Sequence, residues 1–184
     1  ADRITLLLKD YRDLEGQFDK LVSIEMIEAV GHKYLDTYFA KCSALLKPDG
    51  MFLLQAITIR DQFYDWSRGQ VDFIQKFIFP GCDTPSVTVI ADSVRRSSDM
   101  KLYHLEDIGP HYATTLRLWR ERFFAQIDKV RALGYPETFI RMWEFYLAYC
   151  EGGYAERQLG NAQMLFTKPD CRRIPLYSGG RGQG

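Results

Sequence analysis

An α/β fold with a sheet covered on both faces is what the sequence predicts, and three observations predict it. Short, near-continuous apolar runs recur at 18–24 and 51–59, and a further one stands at 3–8. Helical periodicity separates the run at 18–24 from the run at 51–59. The long segments 111–134 and 136–154 repeat that helical pattern before a last apolar run at 161–169. Strands that are apolar on both faces, alternating with helices, belong to parallel sheets buried under two layers.

Each element follows in order. "RITLLL" (3–8) predicts a short buried strand ending at Lys9-Asp10, and "FDKLVSI" (18–24) a second. In 32–46, Tyr34, Leu35, Tyr38, Phe39, Cys42, Leu45 and Leu46 recur at offsets of three and four, the mark of an amphipathic helix. "KPDG" (47–50) stops it with a turn, and "MFLLQAITI" (51–59) is the third strand. "VDFIQKFIFPG" (71–81) reads as a short helix broken at Pro80-Gly81. In 84–98, Thr84 suits an N-cap and Pro85 the first helical position. "KLYHLEDIG" (101–109) is a fourth strand. The stripe Leu116, Trp119, Phe123, Ile127, Val130 predicts one long helix over 111–134, with Gly134 as its C-terminal cap. An aromatic-rich helix over 136–154 and a strand over 161–169 complete the unit. Residues 1–169 thus read as one domain with a helical insertion, and 170–184, ending "SGGRGQG", as a flexible tail.

Composition excludes several function classes. Lys plus Arg balance Asp plus Glu at 24 each, which removes the basic footprint of a nucleic-acid binder. No apolar run reaches the ~18 residues of a membrane span, and residues 1–8 carry no leader cleavage pattern. Cys42, Cys82, Cys150 and Cys171 form no C-x-x-C pair and have no clustered histidine, so no metal site is expected. At this size a disulfide framework is not expected either, which points to a reducing cytoplasm. His32, His104 and His111 lack triad-like partners. Aromatic residues reach 14%, which supports either a bulky core or an aromatic-lined pocket for an apolar or cationic ligand.

The order strand, acidic loop, "FDKLVS", helix, "LLKPDG", strand resembles the second half of a class I S-adenosylmethionine-dependent methyltransferase, a Rossmann-like fold. Longer strings are more specific. "DYRDLEGQFDKLVSIEMIEAVG", "LLQAITI", "DFIQKFIFPG", "HYATTLRLW" and "FIRMWEFYLAYCEGGY" resemble the cyclopropane-fatty-acyl-phospholipid synthase family, which includes the mycolic acid cyclopropane and methyl synthases. The resemblance runs from about residue 3 to residue 168 and implies transfer of a methyl group from S-adenosylmethionine to a cis double bond of an acyl chain. Loss of a proton from the added methyl then closes a cyclopropane ring. Relatives leave a methyl branch or a hydroxyl instead.

The resemblance also implies roles for residues. "SIEMIEAVG" (23–31) holds Glu25 and Glu28 in an apolar setting. The family's glutamate at the position of Glu28 helps hold a bicarbonate ion, the presumed base. The tyrosine matching Tyr112 donates its phenol to that ion, and the backbone around Ile57 completes the pocket. Gln55 stands where many members have histidine; it can hydrogen-bond but cannot titrate. Asp10, Tyr11 and Arg12 match the loop on the cofactor's adenine. Ser23 and Ile24 match the sulfonium side, at the carboxyl end of a strand, where ligands of open α/β sheets bind. Phe77, Phe79, Trp119 and Tyr146 match segments lining the acyl channel. Partners implied are unsaturated phospholipid acyl chains at the inner membrane surface.

The family's glycine-rich cofactor loop and its cysteine before that loop are not in this sequence. The expectation is therefore the C-terminal part of a larger enzyme, inactive by itself, whose strand edge at 18–24 is bare. Bare edges pair with other chains, which would give a homodimer. Two rivals stand beside ring formation: a methyl-branching enzyme of the same family, and a non-catalytic lipid- or partner-binding domain. Without the resemblance, Glu28 reads as a solvated acid in a first helical turn, Tyr112 as a half-buried core tyrosine, and the Trp119 stripe as core.

Overall fold

The computed structural model describes residues 3–172. Four strands form one sheet in the order β1-β2-β4-β3: β1 (Phe18–Ile24), β2 (Leu46–Ile59), β3 (Lys101–Asp107) and β4 (Leu159–Thr167). β1 and β2 are parallel, with α1 (Leu35–Ala44) in the crossover between them. β4 is antiparallel to both its neighbours, so the sheet is mixed rather than parallel throughout. The helices after β3 explain the reversal. α5 (Gly109–Ala125) and α7 (Glu137–Ala155) pack together and bring the chain back to the end of the sheet it had just left.

Side-chain alternation sorts the sheet into two faces. Phe52, Leu54 and Ala56 of β2 and Ala162, Met164 and Phe166 of β4 point one way, fully buried against Tyr38 and Phe39 of α1 and Ile90 and Val94 of α4 (Val87–Ser97). Phe52 stacks on Phe166 with ring centroids 5.8 Å apart. The residues between them point the other way: Gln55 and Ile57 of β2, Asn161 and Gln163 of β4. The register pairs Gln55 with Gln163 and Ile57 with Asn161, which makes a polar stripe on the face toward α5 and α7.

Several sequence expectations need correction. Residues 3–8 form no strand, and Ile4, Leu6, Leu7 and Leu8 are exposed. An apolar run pairs only if a strand lies beside it, and here β2 takes one edge of β1 while no described strand takes the other. Val22 and Ile24 are accordingly exposed on that edge. The turn expected at 47–50 lies inside β2 as an irregularity, the register jumping from Phe18↔Leu46 to Lys20↔Met51. α4 is capped by Ser86, whose hydroxyl accepts from Val89 N at 3.3 Å, and not by Thr84. Pro85 lies outside that helix because its carbonyl accepts from Ile59 N at 3.0 Å, pinning it to the end of β2. The long helix expected over 111–134 breaks at Gln126 (φ −116°, ψ 18°) into α5 and α6 (Ile127–Ala132). α2 (Asp61–Arg68) was not foreseen. α3 (Phe73–Phe77) is short, with a capping box between Asp72 and Gln75. The expected tail lies mostly outside the described residues.

Candidate active site

At the carboxyl end of β1 the chain turns through Glu25, which adopts φ 49°. Non-glycine residues seldom enter this left-handed region. Glu25 N donates to Gln55 O at 2.9 Å, so the turn is fixed by the end of the β1–β2 ladder. The Glu25 side chain meets three donors from three other elements. Tyr112 hydroxyl (first turn of α5) lies 2.6 Å from Oε1, Asn161 Nδ2 (β4) 2.8 Å and Gln55 Nε2 (β2) 2.9 Å. All three use Oε1.

The donors are themselves held. Gln163 Nε2 donates to Gln55 Oε1 at 2.8 Å across the β2–β4 pair. Asn161 is fully buried, and its backbone N–H donates to Asp107 Oδ1 at 3.0 Å. Gly109 N donates to the same oxygen at 2.8 Å, so Asp107 ties the start of α5 to β4. The Tyr112 ring lies against Tyr154, centroids 5.1 Å apart. Tyr154 hydroxyl and Asn161 Oδ1 are each buried without a hydrogen-bond partner.

Glu28 sits in a 3-10 turn (Ile27–Ala29) and is partly buried, not solvated. Its Oε1 accepts from Ile57 N at 2.6 Å, and its Oε2 is buried with no partner. The two acids are shifted in opposite directions. Burial pushes the Glu28 carboxyl up, and the Glu25 charge adds to that. Burial also pushes Glu25 up, but the bonds from Tyr112, Asn161 and Gln55 outweigh it and hold the carboxyl below its ordinary value. Burial and the bond to Glu25 push the Tyr112 phenol up to about 12, so it stays a donor. Neighbouring groups whose environments drive their acidities apart are the usual arrangement for assigning acid and base roles.

The structure thus brings Glu28, Gln55, Ile57 and Tyr112 together, around a residue for which the sequence alone suggested no role, Glu25. Asn161 was missed as well; a polar residue in an apolar strand signals little until the register opposite Ile57 is known. Tyr11 packs edge-on against Tyr38 (5.6 Å), whose hydroxyl donates to Ser23 Oγ at 2.7 Å. Asp10 is paired with Arg12 at 2.7 Å on the surface, and the bonds from Arg12 hold its carboxyl down to about 2. Ile24 is exposed. Phe79 meets Tyr146 edge-on at 6.3 Å, and Phe77 joins Phe73 at 5.4 Å. Trp119 joins neither group and is 48% exposed on α5.

Gly160 sets the spacing that makes this network. A Cβ there would lie 2.8 Å from Thr58 Oγ1 and 3.2 Å from Asp107 Oδ2. Gly160→Ala is expected to destabilise the protein by about 1–3 kcal/mol through overpacking, read as a lower urea midpoint. An unchanged midpoint would show that this junction yields freely.

Residues 1–164 match the family described as mycolic acid cyclopropane synthetase. Over 152 residues the chain is 45% identical to tuberculostearic acid methyltransferase UfaA1 of Mycobacterium tuberculosis, covering 83% of this chain and 36% of that protein. It is 43% identical over 166 residues to cyclopropane-fatty-acyl-phospholipid synthase of Escherichia coli, covering 90% of this chain and 41% of that protein. The chain therefore spans less than half the length of these relatives. The structure of the cyclopropane synthase MmaA2 from Mycobacterium tuberculosis superposes with a TM-score of 0.79 at 26% identity, over 91% of this chain and 63% of that one. Mycolic acid cyclopropane synthase CmaA1, solved with SAH and CTAB, gives the same TM-score of 0.79 and identity of 26%, over 88% and 59%. The fold is that of a class I S-adenosylmethionine-dependent methyltransferase.

Proposed function

The chain belongs to the mycolic acid cyclopropane synthetase family, and from that premise we propose that it acts in moving a one-carbon group from S-adenosylmethionine to the cis double bond of an unsaturated acyl chain on phospholipid, closing a cyclopropane ring. The observation that carries this reading is the pair of acids at the end of β1, one ionised and hydrogen-bonded, the other buried with an unpartnered oxygen. An alkene is a weak nucleophile, and its alkylation leaves a positive charge on carbon. A site for it needs negative charge in a place poor in water, where electrostatics are strong.

The residues fit the methyl donor in kind. Glu28 Oε2, a buried carboxylate oxygen with no donor of its own, suits a cationic neighbour. Tyr11 with Asp10 and Arg12 would hold the adenine, and Ser23 and Ile24 the sulfonium side. S-adenosylmethionine, when bound, supplies an electrophilic methyl group. Phe77, Phe79 and Tyr146 would line the acyl path, where a ring face also stabilises a carbon cation. Trp119, in neither aromatic group, is the weakest member of that set. The acyl chain would come from a membrane surface; no helix among the described residues is long and apolar enough to cross one.

A methyl-branched product is the second reading, favoured by the 45% identity to a tuberculostearic acid methyltransferase. Full-length protein incubated with methyl-labelled S-adenosylmethionine and dioleoyl phospholipid vesicles is expected to put label into the acyl chains. Mass spectrometry separates ring from saturated branch, which differ by two hydrogens, and proton NMR separates the ring from an isomeric unsaturated branch by its vinyl signals. Acyl chains free of label would refute both readings.

A further inference from the structure

Closing the ring requires that a proton be removed, and the site holds its own means of doing so. We propose that Glu25 is the resident base, taking the proton on Oε2 in place of a bicarbonate ion. This rests on the functional reading above and goes beyond it by naming the group that completes the reaction.

The first ground is what the donors already bind. Tyr112 is the donor that the family resemblance assigns to bicarbonate, Gln55 stands where many members have a histidine, and both donate to Glu25 Oε1. Asn161 adds a third bond to the same oxygen. An anion seated among these donors would have to displace an ionised carboxylate or lie against it. The residues present therefore do not fit bicarbonate; they fit the carboxylate of Glu25 itself.

The second ground is the division of labour between the two oxygens. Oε1 is saturated with donors, which fixes the side chain, while none of those bonds uses Oε2. The backbone adds to the fixing. The positive φ at Glu25 is a conformation that persists where the surroundings enforce it, and such positions gather at active sites.

The third ground is the state of the neighbours. Glu28 accepts through Oε1 from Ile57 N and is driven toward its protonated form by burial, and Tyr112 keeps its proton. Glu25 is the acid held in its charged form. Its basicity is weak, and a weak base suffices, because a C–H bond next to a cationic carbon is strongly acidic. Placement matters more than strength.

The step balances without a further reactant. After the methyl group has joined one alkene carbon, the other carries the positive charge. A C–H bond of the added methyl breaks, its electron pair forms the second ring bond to the cationic carbon, and the proton goes to Glu25 Oε2. Glu25 is exposed enough to hand that proton to solvent before the next turnover. In the branching variant the same base takes the proton and the electron pair forms a double bond instead, so the product of this step is an unsaturated branch isomeric with the ring; a saturated branch would require a separate hydride donor.

The test uses the full-length protein, dioleoyl phospholipid vesicles and buffers stripped of carbon dioxide. Wild type is expected to turn over equally with and without added bicarbonate, and to show no binding of carbon-13 bicarbonate by NMR. Glu25→Gln keeps an acceptor for the three donors but cannot take a proton. It should lose about 100-fold in turnover, with unchanged calorimetric binding of S-adenosylmethionine. A deuterated methyl donor should give it a larger isotope effect than wild type, a change that a merely structural role would not produce. Glu25→Gly suits the positive φ, empties the place of the carboxylate, and should bind labelled bicarbonate and recover part of its turnover when bicarbonate is added. A wild-type rate that falls several-fold without bicarbonate, wild-type bicarbonate binding, or full turnover by Glu25→Gln would each overturn the proposal while leaving methyl transfer standing. Absence of methyl transfer by wild type in every buffer would overturn the functional reading and the proposal with it.

Discussion

Glu28→Gln is expected to lower turnover by about 100-fold and, in the same protein, to raise the melting temperature at neutral pH. The two effects share one cause. Glu28 Oε2 is buried without a donor, and burial raises the carboxyl above its ordinary value, with the neighbouring Glu25 charge adding to the effect. A buried charge of this kind destabilises the empty site and stabilises a cation that forms beside it. Glutamine keeps an oxygen for Ile57 N–H, which now bonds Glu28 Oε1 at 2.6 Å, and removes the charge.

The sign with pH follows. A carboxyl whose folded value is raised contributes stability below its unfolded value and loses it as pH rises through the folded value. The advantage of glutamine should therefore appear at neutral pH and vanish in acid. Each kcal/mol corresponds to roughly 2–4 °C for a domain of this size. Scanning calorimetry at neutral and acid pH checks it; equal melting at neutral pH would show that the charge carries no penalty in the fold.

Phe52→Ala is expected to destabilise the fold by about 3–5 kcal/mol, a large part of the roughly 5–15 kcal/mol that holds a typical domain together. Phe52 is fully buried in the middle of β2, stacked on Phe166 at 5.8 Å and edge-on to Tyr38 at 6.4 Å. Phe39 reaches the same Phe166 ring at 6.3 Å, so four rings form one packed cluster. Deleting one ring leaves a void that β2 and β4, paired along their length, cannot collapse to fill. Urea denaturation followed by tryptophan fluorescence gives the loss. A change below about 1 kcal/mol would mean that the layer repacks.

How much of this was legible in the sequence depends on whether the cause is local. The strand at 51–59 and the helix at 136–154 are visible because their periodicity lies within one segment. So is the aromatic excess, much of which packs as ring pairs. Residues 3–8 misled because an apolar run looks the same whether or not a strand lies beside it. The cap at Ser86 was missed because a tertiary bond, Ile59 N to Pro85 O, decides where that helix begins. The site divides in the same way. Glu28, Gln55, Ile57 and Tyr112, which lie together, are the residues that strings resembling a family single out. Glu25 and Asn161 are not among them, since their meeting depends on the pairing of Ile57 with Asn161. A slip of one residue in that pairing would turn Asn161 into the core and leave Glu25 with two donors.

The sheet order β1-β2-β4-β3 has a consequence for synthesis. The strand that lies between β2 and β3 is the last of the four described strands in chain order, so its two neighbours wait on the ribosome with open hydrogen-bonding edges until residue 167 has emerged. Until then Glu25 also lacks Asn161. A nascent chain stalled before that point would present sticky edges to chaperones and would lack the Asn161 donor to the Glu25 carboxylate.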